Sequence, residues 1–137
     1  MNVISLLPAD TYTVVNKTII TEDDKKNIIS LYQPIIGPIA VSLYFTLLND
    51  LSILDYISND YTHYHLMVTM RSSIETIKKA RESLEAVGLL KTYYKEGETD
   101  TYVYELYIWL SEDKTNQNEL MNKQFSAVIN VNSAIKK

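Results

Sequence analysis

The chain has 137 residues, a length typical of one domain, and a domain of this size buries roughly two thirds of its unfolded surface. It contains no cysteine, which excludes a disulfide framework, a thiolate zinc site and a thiol nucleophile. The 13 Lys and Arg residues against 17 Asp and Glu residues make the chain mildly acidic, so its overall charge gives no argument for nucleic-acid binding.

The N-terminal segment, residues 8–20, is extended in character because β-branched and aromatic residues dominate it, and a strand or an arm is expected there. A helix start follows. The Thr21 hydroxyl can accept from the amide of Asp24, whose carboxylate can reach back to Thr21, which is the capping-box arrangement. Acidic residues 22–24 also suit the positive end of a helix dipole. The first helix is predicted over residues 22–32.

Pro34 and the pair Gly37-Pro38 are expected to end that helix and start the next, since proline suits a first helical position. Residues 39–51 are apolar on nearly every side. That helix must be enclosed, either by its own domain, which we favour, or by a partner. Residues 28–48 are nearly uncharged, but the Pro and Gly interruptions leave a run too short for a membrane span. With no signal-peptide pattern at the N-terminus, a soluble, cytoplasmic chain is expected.

Two further helices are predicted after a turn-rich stretch. The first spans residues 64–70. Ser72 and Glu75 have the spacing of a second capping box, and apolar residues then recur at helical period over residues 73–87. Gly88 lies where a left-handed C-terminal cap belongs. The short turn between these two helices is typical of a helix-turn-helix.

A β-hairpin is predicted directly after the last helix, with strands over residues 89–95 and 101–110 joined by the polar loop 96–100. Three helices followed by a hairpin is the winged-helix order. The sequence therefore predicts an α+β fold, a winged helix-turn-helix with an additional N-terminal strand or arm and a C-terminal helix. An unrelated α+β domain with a terminal hairpin is the alternative.

The segment after residue 110 is polar and rich in Asn, but Met121, Phe125, Val128 and Ile135 lie close to one helical face. We therefore expect three parts. Residues 1–20 form the arm or strand and residues 21–110 the winged-helix domain. Residues 111–137 form a helical extension that leads to further domains.

The sequence offers little that is typical of a catalytic centre. His63 and His65 are its only histidines, and with Asp60 they could ligate a metal, but a third strong ligand is not evident. A polar helix start explains them better. The three glycines are accounted for as turns or caps, so no phosphate-binding loop is present. Neither a catalytic residue, a metal nor a cofactor is expected, although a metal-dependent enzyme remains the third hypothesis.

A nucleic-acid interface is the second hypothesis, in the form of a DNA-binding transcription regulator. Its candidate contacts are the basic residues of the last helix and of the hairpin: Lys78, Lys79, Arg81, Lys91 and Lys95. Glu75, Glu82 and Glu85 offset the positive charges of the helix, and the hairpin loop is acidic. A groove-reading helix usually presents basic and amide side chains near its N-terminal end, and this one does not. A solvated helix face is therefore favoured over a DNA contact.

A protein interface is favoured instead. Tyrosine is abundant, with 11 Tyr against 2 Phe and 1 Trp, and its apolar ring with a polar tip suits interfaces as well as strands. The strand over residues 101–110 is apolar on both faces, so a cover is expected from the C-terminal helix or from another subunit. The segment 12–15 can add to a sheet edge. Self-association is predicted through eight residues: Tyr12, Val14, Tyr44, Tyr102, Tyr104, Tyr107, Trp109 and Phe125.

Three segments resemble a known family. Residues 30–48 (SLYQPIIGPIAVSLYFTLL) resemble the Leu-Tyr-x-Pro signature, with its later Gly, Ala and second Leu-Tyr, of bacterial replication-initiation proteins of the DnaB/DnaD helicase-loader group. LPADTYTVVNK (residues 7–17) and ARESLEAVGLLKTY (residues 80–93) resemble the N-terminal winged-helix domain of that family. The resemblance covers about residues 6–110, and the extended N-terminal segment favours the DnaB branch.

The resemblance implies a primosome component that helps to load the replicative helicase. In that family the N-terminal domain serves mainly for oligomerisation and protein contact, and DNA binding lies largely in C-terminal domains. The implied partners are further copies of the chain in a dimer or tetramer, other primosome proteins and the replicative helicase. The DnaB branch also implies association with the membrane.

Overall fold

The computed structural model describes residues 5–16, 20–51 and 56–108. The described elements are strand β1 (Thr11–Asn16), helix α1 (Glu22–Asn27), a π-helical segment (Ile28–Tyr32), helices α2 (Gln33–Ile36) and α3 (Pro38–Asn49), strand β2 (Tyr61–Thr62), helices α4 (His63–Met70) and α5 (Ile74–Ala86), and strands β3 (Leu90–Lys95) and β4 (Thr101–Leu106). From α3 onwards, helices and strands follow one another in the order of a winged helix. The predicted α+β winged helix-turn-helix with an N-terminal strand is confirmed.

A four-stranded sheet in the order β2-β1-β4-β3 forms one layer. The β3 and β4 strands are the predicted antiparallel hairpin. The N-terminal strand β1 runs parallel to β4, with Tyr12 opposite Tyr102 and Val14 opposite Tyr104, and it pairs with β2 on its other side. The extended N-terminal segment is therefore an interior strand of the chain's own sheet.

The hydrophobic core lies between this sheet and the helices. Alternate residues of β1 and β4 point into it, as the two-residue period of a strand requires. Helix α3 is enclosed mainly by its own domain, as expected, although Ile39 at its start is 51% exposed. The largest fully buried side chains are Tyr12, Ile28, Tyr32, Leu43, Tyr44, Leu47, Leu66, Ile77, Leu84, Leu89, Tyr104 and Leu106.

The first helical stretch is longer than the sequence indicated. The capping box at Thr21 forms as predicted, with both reciprocal hydrogen bonds to Asp24 present. The expectation that Pro34 would end this helix is wrong. The chain passes through a π-helical turn in which the amide of Gln33 donates to the carbonyl of Ile28, and Pro34 then lies in the first turn of α2, where its missing amide proton costs little. Gly37, at a φ of 87°, ends the stretch.

The turn between α4 and α5 corrects a second expectation. Arg71 adopts a left-handed conformation with a φ of 51°, and the chain enters α5 one residue later than predicted. Ser73, not Ser72, is therefore the N-cap, and its hydroxyl accepts from the amide of Thr76 at 3.2 Å. The predicted capping box between Ser72 and Glu75 is wrong because the third helical position is Thr76.

Helix α5 ends at Ala86, one residue before the predicted end, and Gly88 follows the C-cap Val87 with a φ of 80°, as predicted for a left-handed cap. Strand β4 ends at Leu106, short of the predicted residue 110. Residues 109–110 and the predicted C-terminal helix lie outside the described residues. Among the described helices, none has the length and apolar character needed to cross a membrane.

Candidate interaction surfaces

Arg81, a candidate DNA contact, faces the core side of α5. Its side chain is only 14% exposed and its guanidinium lies 5.6 Å from the centroid of the Tyr102 ring. Its Nε is 3.9 Å from a carboxylate oxygen of Glu85, one helical turn further on. The cation is therefore occupied by aromatic packing and an ion pair, which corrects its assignment to a DNA-facing surface.

Arg81→Ala is expected to destabilise the domain by about 2 kcal/mol, because it removes packing over Tyr102 together with the charge. Lys79→Ala is the matched control, since Lys79 is exposed on the same helix and its removal should change stability by less than about 0.5 kcal/mol. Urea denaturation followed by circular dichroism measures both. Equal stabilities of the two variants would contradict the buried role of Arg81.

The exposed side of α5 has mixed charge. Glu75, Lys79 and Glu82 are exposed at intervals of about one helical turn, so two carboxylates accompany one ammonium group. The loop between β3 and β4 adds Glu96 and Glu98, both exposed. In a winged helix these two elements would meet the phosphates of DNA; here the loop presents only negative charge, and α5 presents carboxylates on both sides of Lys79.

The hairpin lysines lie apart from Lys79. Lys91 and Lys95 are exposed and share one face of β3 with Tyr93, since alternate residues of a strand point the same way. That face is opposite to the one packed against the helices, where Thr92 and Tyr94 lie. Lys78 is half-buried on α5. The five basic candidates therefore do not converge on one surface.

A shallow groove of about 180 Å³ runs beside α5. Its walls are Ile36, Ile39 and Ala40 on one side and Thr76, Lys79 and Ser83 on the other. The junction of α2 and α3 thus lies alongside the outer flank of α5. A duplex that approached Lys79 would also meet the exposed apolar side chain of Ile39.

The two histidines belong to structural hydrogen-bond networks. His63 is fully buried, and its Nδ1 is 2.6 Å from the carbonyl oxygen of Asp10. A carbonyl only accepts, so Nδ1 is protonated and Nε2 accepts from the Tyr104 hydroxyl, also at 2.6 Å. Burial lowers the pKa of His63 and raises that of Tyr104. Both groups are therefore neutral near pH 7.

The second network surrounds Asp50 at the end of α3. Its carboxylate accepts from the Tyr12 hydroxyl at 2.5 Å and lies 2.8 Å from Nε2 of His65, whose ring stacks on Tyr61. Both ring nitrogens of His63 are engaged in hydrogen bonds, so His63 has no lone pair to give to a metal in a site shared with His65. No cluster of three or more potential metal ligands occurs among the residues that the structure describes.

Most of the residues predicted for self-association are in the core of the domain itself. Tyr12, Val14, Tyr44, Tyr102 and Tyr104 are all buried, so a second copy cannot reach them in this conformation. Tyr107 is half-buried, and its carbonyl accepts from the Tyr44 hydroxyl at 3.0 Å. Trp109 and Phe125 lie outside the described residues.

Comparison with known proteins assigns the family. The sequence model described as the DnaB N-terminal winged helix domain matches residues 6–129 of this chain. The chain belongs to this family. The DnaB-type domain thus accounts for nearly the whole sequence.

A solved structure agrees with this assignment. The DnaB-type domain is similar to the crystal structure of residues 1–300 of the primosome protein DnaB from Geobacillus stearothermophilus, with 32% sequence identity and a TM-score of 0.74. The match covers 93% of this chain but only 51% of the solved one. The chain therefore spans about half the length of that structure.

The sequence interpretation missed exposed apolar residues of the DnaB-type domain. Leu7, Tyr64 and Val68 are each more than half exposed, and none was a candidate. One signal was available: the α4 sequence HYHLMVTM contains no Asp, Glu, Lys or Arg. Which of its apolar residues face outward depends on how α4 packs, and the helical period alone did not fix that.

Proposed function

We propose that this DnaB-type domain is a self-association and protein-interaction module of a replication-initiation protein and performs no catalysis. Its partners are further copies of the chain, in a dimer or a tetramer, together with other primosome proteins and the replicative helicase. The protein acts in the cytoplasm, with peripheral contact to the membrane. The domain supplies contacts between proteins, and DNA contact belongs mainly to other parts of such proteins.

The observation that supports this proposal is the character of the described surface. Exposed apolar side chains are frequent on it, whereas α5 and the hairpin loop, with which a winged helix contacts DNA, expose carboxylates. Exposed apolar residues that adjoin one another are typical of sites that other proteins cover, and Tyr64 and Val68 adjoin on one side of α4. The exposed large apolar residues are Leu7, Ile29, Ile39, Tyr56, Ile57, Tyr64, Val68 and Tyr93.

DNA binding is the second candidate function, and the exposed Lys79, Lys91 and Lys95 favour it. A contact through these residues would depend strongly on salt, because phosphate binding releases counterions. Such a contact would also have to overcome the electrostatic repulsion between the DNA phosphates and the carboxylates of α5 and of the hairpin loop.

Light scattering on the purified chain and fluorescence anisotropy with duplex DNA separate the two functions. We expect a mass above that of the monomer at high micromolar concentration, and no DNA binding at about 50 mM salt, where the phosphate contribution is strong. A strict monomer would contradict self-association. Salt-dependent DNA binding that Lys79→Glu abolishes would favour the DNA-binding function instead.

A further inference from the structure

Strand β3 lies at one edge of the sheet, where β4 pairs with one side of it and the other side is open. The amide of Tyr107 donates to the carbonyl of Leu89 at 2.9 Å, so the odd-numbered residues of this segment direct their backbone groups towards β4. The amides and carbonyls of Leu90, Thr92 and Tyr94 therefore point away from the sheet. No backbone hydrogen bond joins them to another described element. We call this open side the β3 edge.

Two lysines stand beside the β3 edge on the outer face of the sheet. Lys91, Tyr93 and Lys95 are exposed and alternate along the strand, so their side chains form one row. The two ammonium groups recur at about 13 Å, which is four residues of strand, with the Tyr93 ring between them. Glu105 is opposite Lys91 on β4, but it is buried and lies on the side away from the edge. The edge thus combines free backbone groups with positive charge.

The backbone geometry determines which kind of molecule the β3 edge accepts. An extended segment that adds to it antiparallel exchanges hydrogen bonds with the even-numbered residues of the strand. Lys91, Tyr93 and Lys95 then occupy the non-hydrogen-bonded positions, where facing side chains are closest. Opposite charges at such positions attract and like charges repel. The edge therefore selects a strand that carries carboxylates four residues apart.

Neither a second copy nor another segment of this chain meets that requirement. Two β3 strands paired antiparallel over their full length place Lys91 of one copy opposite Lys95 of the other, and these charges repel. Outside the hairpin loop, the sequence has no two carboxylates four positions apart. Within that loop, Glu96 and Asp100 have this spacing, but they belong to the turn that closes the hairpin. The charge pattern therefore indicates a different protein.

We propose that the β3 edge binds an extended acidic segment of a different protein, which adds to the sheet as a further strand. The inference rests on the protein-interaction part of the function proposed above and assigns it one site and one class of partner. Backbone hydrogen bonds hold the segment, and two carboxylates opposite Lys91 and Lys95 set its register. An apolar residue between these carboxylates packs on the ring of Tyr93, which is 44% exposed.

An acidic peptide fits the β3 edge better than DNA does. Glu96 and Glu98 are exposed in the loop directly after Lys95. A duplex carries a phosphate charge at every step and meets these carboxylates as well, whereas a peptide places its charges only opposite the two lysines. A phosphate backbone also accepts hydrogen bonds without donating any, so it leaves the carbonyls of the edge unpaired.

An NMR titration of the isotope-labelled full chain with a synthetic heptapeptide tests the proposal. The peptide, Thr-Glu-Thr-Val-Thr-Glu-Thr with both ends capped, has its glutamates four positions apart. Its binding is expected to protect the amides of Thr92 and Tyr94 from hydrogen exchange, because these amides become donors to the added strand. A control peptide with glutamine in place of both glutamates should bind about fivefold more weakly or worse at low salt.

Two variants of the chain assign the contact to the β3 edge. Lys95→Glu is expected to weaken binding of the acidic peptide at least about fivefold, since repulsion replaces attraction at one position. Lys79→Glu is the matched control. It changes the net charge by the same amount at an exposed position of α5, away from β3, and should bind the peptide like the wild type. The amide spectrum of each variant, expected to match that of the wild type away from the substitution, checks that it is folded.

Three results would overturn the proposal. The first is the absence of binding at millimolar peptide. The second is binding that leaves Thr92 and Tyr94 unprotected or that both variants weaken equally, which would mean a contact through overall charge alone. The third is a duplex DNA that displaces the peptide from Lys91 and Lys95. None of these results decides the proposed self-association, which light scattering tests separately.

Discussion

Val14→Asp is expected to unfold the domain or to destabilise it by at least about 4 kcal/mol, because it places an unpaired carboxylate in the core. Val14 is fully buried on β1, between β2 and β4. It lies opposite Tyr104 in the parallel pair and next to the helix layer. If the N-terminal segment were only a peripheral arm, the same change would cost little. Equilibrium urea denaturation, followed by far-UV circular dichroism, distinguishes these outcomes.

Two further variants control for this result. Ile29→Asp introduces the same carboxylate at a position that is almost half exposed, and its effect should remain below about 1 kcal/mol. Val14→Thr keeps the shape of the side chain and adds one hydroxyl, so its cost should lie between those of the two Asp variants. A Val14→Asp protein as stable as Ile29→Asp would show that β1 is not an interior strand.

His63→Ala is expected to cost about 3 kcal/mol or more, because it leaves a cavity and removes two hydrogen-bond partners at once. The carbonyl of Asp10 would lose one of its donors and the Tyr104 hydroxyl its acceptor, in a region closed to solvent. The imidazole joins the N-terminal turn, α4 and β4, so its loss affects three elements together. Thermal unfolding by calorimetry measures the effect, and a change below about 1 kcal/mol would contradict the structural role.

The same histidine should make the domain sensitive to acid. Burial lowers the pKa of His63 in the folded state, and the Arg81 guanidinium nearby acts in the same direction. As the pH falls below about 6.5, the ordinary pKa of histidine, the unfolded chain takes up a proton before the folded chain does, so the free energy of unfolding decreases. The decrease should persist in His65→Gln, which removes the other histidine, and should be absent from His63→Gln. Persistence of the same decrease in His63→Gln would assign it to other groups.

Local signals predicted the helices and the hairpin well. The capping box at Thr21, the proline at the start of α3 and the glycine after α5 all act on backbone groups within a few residues of themselves. Such signals can be recognised without knowledge of the rest of the fold. The resemblance of residues 30–48 to DnaB and DnaD proteins then indicated the family, and the family match confirms it.

The local predictions failed where two structures were compatible with one pattern. A π-helical turn allows the chain to continue through Pro34, because the proline then occupies a position that needs no amide proton. A left-handed residue at Arg71 moves the start of α5 by one position, and Ser73 replaces Ser72 as the cap. Adjacent serines provide the same capping chemistry, so only the backbone path selects between them.

The interaction surfaces could not be predicted because tyrosine, and arginine when its charge is paired, can pack inside a domain as well as on its surface. Tyr12, Tyr102 and Tyr104 were assigned to an interface, yet their rings fill the core while their hydroxyls or ring faces meet polar partners. Arg81 resembles the other basic residues of α5 in sequence, and only its position against Tyr102 distinguishes it from the exposed Lys79. The absence of charged residues from α4 did not show which of its side chains are exposed. Tyr64 and Val68 could be identified as exposed only once the buried side of that helix was known.

The sequence by itself determined the order of helices and strands, the caps that delimit several of them, and the family, because these depend on neighbours along the chain. Only the tertiary structure decided that β1 lies inside the sheet, parallel to β4, since Tyr12 and Tyr102 meet although nearly the whole domain separates them in sequence. That pairing buries Tyr12, Tyr102 and Tyr104, three of the tyrosines predicted for self-association, and places Tyr104 against His63. It also leaves Tyr64 and Val68 on the outer side of α4, exposed to solvent. Burial is a property of the assembled layers, and for this reason the sequence alone could not separate the aromatic residues of the core from those exposed to solvent.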